Sequence, residues 1–135
     1  MVALFATAAP AQAAETRYSL AGGCFALQEG PTPVTGAGKL RLQATALGRY
    51  LLYLPDATFL SAQDDGSVAP AGTPSPSADW IVTDAGGGAF TLAPVSAPDR
   101  LMNYNGTSLR LGAAGAPGES FIFAPSTGCA TYPAC

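Results

Sequence analysis

Apolar and polar residues alternate along this chain in short blocks, each cut off by glycine, proline, aspartate or asparagine. Nine blocks stand out, at residues 24–28, 39–44, 50–54, 58–62, 80–84, 89–93, 101–104, 108–111 and 121–124. Period-two alternation, or a brief apolar run between turn residues, predicts a β-strand at each. Past residue 14 no apolar i, i+3, i+4, i+7 pattern lasts three turns without Gly or Pro, so almost no helix is predicted. Two stretches, residues 29–38 (EGPTPVTGAG) and 63–77 (QDDGSVAPAGTPSPS), read as loops without structure. Their composition buries too little apolar area to offset the entropy of ordering.

The blocks repeat imperfectly. Gly38-Lys-Leu-Arg-Leu-Gln lies over Gly88-Ala-Phe-Thr-Leu-Ala at an offset of 50, which also pairs Leu51-Leu52 with Leu101-Met102. A second offset, of 41, sets Trp80-Ile81-Val82 against Phe121-Ile122-Phe123 and starts a third unit near Glu119. Four-stranded units of this length fit a β-trefoil or the blades of a propeller, and a propeller needs at least about four blades. The expectation is an all-β, β-trefoil-like fold with imperfect four-stranded repeats, the third incomplete. A barrel short of strands would stay open, with exposed strand edges and marginal stability.

Composition narrows the chemistry. The chain has 135 residues, 6 Lys+Arg against 9 Asp+Glu, and no histidine. So few basic groups argue against nucleic acid as a partner, and the missing histidine removes the commonest general base and the commonest metal ligand. Residues 1–13 are apolar and end in Ala11-Gln12-Ala13, an A-x-A pattern of the kind signal peptidase accepts. They read as a signal peptide shortened at its start, leaving a single β-rich domain at 14–135; an Ala-rich tail is the alternative. Pro10, Gln12 and Glu15 interrupt the run too early for a membrane span. A secreted protein is expected. Cys24 and Cys129 both follow glycine near the two ends of the domain, which points to a bridge between them, with reduced buried thiols as the alternative. Cys135 is left over.

Candidate chemistry is sparse. Asp56, Asp64, Asp65, Asp79, Asp84 and Asp99 fall at turns or strand ends, where Asp bonds its own backbone. Asp64-Asp65-Gly66 lacks the rest of a calcium-loop ligand series, and no G-x-S-x-G nucleophile motif occurs. Asn105-Gly106-Thr107 is formally a glycosylation sequon but reads first as a type I′ hairpin turn. Gly86-Gly87-Gly88 reads as a flexible hairpin connection, and Trp80 as core. Tyr50 and Tyr53, three apart and so on opposite strand faces, leave one ring for a ligand beside Arg49; Tyr104, between Asn103 and Asn105, forms the matching patch. Arg49, Tyr50, Tyr53 and Tyr104 are the binding candidates. No catalytic residue, metal ligand or cofactor is expected.

Gly48-Arg-Tyr-Leu-Leu-Tyr53 followed by Thr58-Phe-Leu-Ser-Ala62 resembles the repeat of fascin and ricin-type β-trefoils, without the Q-x-W of their sugar-binding members. The strings YSLAGGCFAL (18–27), RLQATALGRYLLY (41–53) and GCATYP (128–133) resemble the N-terminal region of secreted actinobacterial metal-dependent hydrolases of the amidohydrolase or membrane-dipeptidase type. That resemblance implies a noncatalytic accessory module whose partner is a catalytic domain further along the same protein. A stand-alone secreted trefoil binding a carbohydrate or a protein is the alternative.

Overall fold

The computed structural model describes residues 16–132. The signal-peptide reading of residues 1–13 and the leftover Cys135 lie outside them. Among the described residues eleven strands form and no helix: β1 (Cys24–Glu29), β2 (Thr32–Pro33), β3 (Lys39–Ala46), β4 (Arg49–Tyr53), β5 (Phe59–Ala62), β6 (Val68–Ala71), β7 (Asp79–Gly86), β8 (Ala89–Pro94), β9 (Arg100–Tyr104), β10 (Leu109–Ala113) and β11 (Phe121–Pro125). All nine predicted strands are present. The two extra ones, β2 and β6, lie inside the stretches read as structureless.

Six strands close a ring, each antiparallel to the next: β1 pairs β3, β3 pairs β4, β4 pairs β7, β7 pairs β8, β8 pairs β11, and β11 returns to β1. Every ring strand sends two residues inward, two positions apart, as a strand must. These twelve meet across the strands as six pairs. Phe25 faces Leu40, Tyr50 faces Trp80 and Phe90 faces Phe121; alternating with them, Leu42 faces Leu52, Val82 faces Leu92 and Leu27 faces Phe123. All twelve are buried in one cluster. The first three pairs join the ends of one unit, and the second three join neighbouring units. Pseudo-threefold symmetry is thus built into the core.

The remaining strands cap the barrel. Hairpins β5–β6 and β9–β10 touch through the Ser67–Arg110 bridge and a hydrogen bond from the Leu111 N–H to the Gly66 carbonyl. In the third position the chain has only β2, folded back on β1, and a turn whose Thr35 hydroxyl lies 3.0 Å from the Tyr104 hydroxyl. This is a β-trefoil of three units, β1–β3, β4–β7 and β8–β11, with one strand short. The abbreviated unit is the first, where the sequence had suggested the third. Every barrel strand carries the same inward pair, so the offset of 50 superposed β3, which closes unit one, on β8, which opens unit three. The barrel expected to stay open is closed, because β11 finds β1.

Two terminal segments seal the outside. Leu20 is buried against the core, and the Tyr50 hydroxyl donates to the Arg17 carbonyl at 2.6 Å. Residues 128–132 cross unit two, where Tyr132 packs edge-on against Tyr53 and Phe59 over Leu51 and Ala78. The Cys24–Cys129 disulfide pins this strap, and the Arg41 Nε donates to the Ala130 carbonyl at 3.1 Å.

Candidate functional site

The three tyrosines singled out from the sequence are packed away from solvent. Tyr50 and Tyr53 do point to opposite faces of β4, but both faces are covered: Tyr50 lies inside the barrel and Tyr53 beneath the 128–132 strap. Tyr104 is buried as well, its hydroxyl donating to the Gly106 carbonyl at 3.1 Å. Burial removes these rings as exposed stacking faces. Trp80 is core, with its Nε1 donating to the Leu60 carbonyl at 2.9 Å. Arg49 alone remains at the surface, paired at 2.8 Å with Asp79, whose other oxygen accepts from the Thr45 hydroxyl. That cross-strand ion pair stitches β4 to β7 beside a shallow cleft of about 340 Å³.

Two larger clefts occupy matching places in units two and three. The first, about 400 Å³, lies between the β5–β6 turn and the β8–β9 loop of unit three. Gln63, Asp64 and Asp65 form one wall and Ser96 and Arg100 the other, over Ala62, Ala97 and Leu111. Ser77, whose carbonyl accepts from the Ala62 N–H at 2.9 Å, ties the floor to the second wall through Ser96, the two hydroxyls being 2.9 Å apart. The second, about 520 Å³, lies between the β9–β10 turn and the end of β1, lined by Asn103, Tyr104, Asn105 and Glu29 with the backbone of Gly106 and Gly118. The offset of 41 that sets Trp80 over Phe121 also sets Ala62, Gln63 and Asp64 over Asn103, Tyr104 and Asn105. Each cleft is closed by the first loop of the following unit. Unit one, lacking the full hairpin, cannot repeat them.

Local turn chemistry shapes both walls. Asp65 Oδ1 accepts from the Ser67 N–H at 2.9 Å and hydroxyl at 2.6 Å, and these bonds hold its carboxyl below the usual range. Asn105 Oδ1 likewise accepts from Thr107 and from the Ser108 N–H. The Asn-Gly turn is therefore a four-residue loop closed by an Asx cap, where a type I′ turn was expected: Gly106 has positive φ and Asn105 does not. In contrast, Gly87 and Gly88, both at positive φ, form a defined two-residue hairpin turn in place of the flexible connection expected there.

Caps commit Asp65 and the Asn105 carbonyl, while Asp64 and Arg100 make no side-chain hydrogen bond or ion pair among the described residues. Asn103 donates to the Pro117 carbonyl. Buried Glu119 spends one oxygen on the Gly115 N–H at 2.9 Å and leaves the other unpartnered. No cluster of metal-ligating side chains forms among the described residues, and no helix there is long and apolar enough to cross a membrane. The sequence named Asp64, Asn103 and Asn105 in passing and missed Gln63, Ser96 and Arg100. The offset of 41, applied to the turns as well as to the strands, would have found Gln63 as the counterpart of Tyr104; Ser96 and Arg100 carry no such signal.

The arrangement belongs to the β-trefoil class, and solved structures bear this out. ThreeFoil, a designed 3-fold symmetric protein, is similar with a TM-score of 0.63 at 12% identity, covering 75% of this chain and 98% of its own. A GlcNAcα1-4Gal releasing endo-β-galactosidase from Clostridium perfringens gives 0.66 at 11% identity, over 77% of this chain and 32% of that one. A mosquitocidal holotoxin gives 0.65 at 11% identity, over 78% and 17%. At such identities the likeness is one of fold. No family model and no curated protein matches the sequence.

Proposed function

We propose that the chain is a noncatalytic, secreted binding module that recognises carbohydrate through the paired clefts of units two and three. The repetition of the cleft carries this reading: two concave sites at matching places, each offering amide or carboxylate groups, the first beside Ala62 and Ala97 and the second beside Tyr104 and Pro117, suit a ligand that repeats and presents many hydroxyls. Carboxylates and amides are the groups that accept and donate to hydroxyls at fixed angles. The endo-β-galactosidase among the structural neighbours supports the choice of carbohydrate over protein. In its larger setting the module serves as the N-terminal accessory part of a metal-dependent hydrolase, as the resemblance of residues 18–27, 41–53 and 128–133 suggests. The disulfide is compatible with an extracellular site.

Calorimetric titration of the purified protein with a panel of oligosaccharides tests the core of this reading. Saturable binding with two sites per chain is expected, one of them weakened about tenfold by Asp64→Ala, the typical worth of a hydrogen bond to a charged group. Failure of every glycan, with a protein ligand binding instead, would overturn it. The same preparation should leave peptides, esters and glycosides intact with or without zinc, since it has no histidine and no nucleophile motif; turnover that survives repurification would refute the noncatalytic role. Reading the gene beyond codon 135 decides between accessory part and stand-alone module: an in-frame continuation rich in His and Asp supports the first.

A further inference from the structure

Resting on that carbohydrate reading, we propose that the cleft of unit two selects a carboxylate-bearing sugar, a uronate, with its carboxylate on Arg100 and its ring hydroxyls donating to Asp64. Arg100 opens β9 on one wall and Asp64 sits in the β5–β6 turn on the other. This fold does pair opposite charges within reach, as Arg49 and Asp79 demonstrate at 2.8 Å. Arg100 and Asp64 nevertheless remain apart across one cleft, and the space between them is where a ligand sits.

The walls are held before any ligand arrives. The Arg100 N–H donates to the Ala97 carbonyl at 3.0 Å, the Gly66 N–H to the Gln63 carbonyl at 2.9 Å, and the Ser77–Ser96 pair holds the Arg100 wall to the floor at Ala62. Prior ordering lowers the entropic cost of binding. Chemistry then assigns the two ends. Ionised Asp64 only accepts, so it takes hydroxyl hydrogens; guanidinium only donates, through a planar fork that matches a carboxylate. The other charges at the cleft are Asp65, committed to its turn, and Arg110, which lies close enough to act on Asp65.

Comparison with unit three sharpens the assignment. There the turn wall carries Asn105, capped as Asp65 is, with no uncapped carboxylate beside it, and the facing wall carries Glu29 at the end of β1 where unit two has Arg100. A carboxylate entering the second cleft would meet Glu29 and find no cationic side chain in the lining to receive it, and would be disfavoured. One cleft is therefore suited to an acidic sugar and its counterpart to a neutral one, as an alternating polysaccharide would require.

Titration with a short oligogalacturonate and with the same oligomer after carboxyl reduction tests this. The wild-type protein should bind the uronate at least about tenfold more tightly, a margin within the range of one charge-assisted contact. Added salt should erode that margin. Arg100→Gln, at an exposed position, should keep the wild-type melting temperature and abolish the preference. Equal affinities for the two oligomers, or a preference that survives Arg100→Gln, would overturn the uronate assignment and leave the module reading standing. Binding of neither sugar by the wild-type protein would sink the uronate assignment, and the carbohydrate reading falls with it only if the rest of the oligosaccharide panel also fails.

Discussion

Tyr50 shows how one side chain can serve two layers of the structure. Its ring fills the barrel opposite Trp80, while its hydroxyl reaches out to hold the Arg17 carbonyl. Burial favours the neutral phenol and lifts its pKa above the ordinary value of 10.0, partly offset by a backbone hydrogen bond at Leu20. A raised folded-state pKa contributes stability that is full below the unfolded value of 10.0 and is lost as pH climbs beyond it through the higher folded-state value. Thermal stability should therefore fall on the alkaline side more steeply in the wild type than in Tyr50→Phe. At neutral pH Tyr50→Phe should be less stable by about 1 kcal/mol, the worth of a typical hydrogen bond. Ala57 offers a gain. It is the one non-glycine at positive φ among the described residues, at 67°, where a Cβ crowds the backbone. Ala57→Gly should stabilise by up to about 1 kcal/mol, visible as a rise in melting temperature. Alternation along Arg49–Tyr53 placed the two tyrosines on opposite faces correctly. It could not reveal that the outer face is roofed by Ala130 and Tyr132, far along the chain near its C-terminal end, because that contact exists only in three dimensions.

Among the elements, the strap at residues 128–132 is the most exposed to a single change. It adds no strand, and it stays in place through the Cys24–Cys129 bridge, the Arg41 bond to Ala130 and the Tyr132 ring. Closing a loop with a sequence separation of 105 residues stabilises by roughly 4–5 kcal/mol in the chain-entropy picture. Reduction, or Cys24→Ser with Cys129→Ser, should lower the melting temperature and expose Tyr53 and Phe59, read as faster hydrogen exchange across β4 and β5. Unchanged exchange would show that the strap holds without its pin. The matched Gly-Cys contexts made this bridge legible from sequence. Strand β6 was not, because Val68-Ala-Pro-Ala71 carries a proline at an exposed position, which marks an edge strand that pattern alone takes for loop.

For the whole molecule, ring closure replaces the open-edged, self-associating chain that the repeat count had implied. No ring strand is left with a bare edge, and the six inward pairs cross every strand boundary, so loss of one is felt around the circle. Trp80→Ala should cost about 3–5 kcal/mol, and the parent chain should unfold in one cooperative transition as a monomer, with calorimetric and van't Hoff enthalpies in agreement. The strands could be read from the sequence because each carries its own alternation. The phase of the repeat could not, since six near-identical inward pairs align with one another at several offsets and the short first unit shifts the spacing. Because β11 lies beside β1, the order in which the chain visits the ring is separable from the ring itself. A circular permutant, with Tyr132 joined to Thr16 through a flexible linker so that the disulfide and both sealing segments are kept, and new ends opened between Gly87 and Gly88, should fold to the same barrel, retaining both clefts while beginning its sequence at unit three.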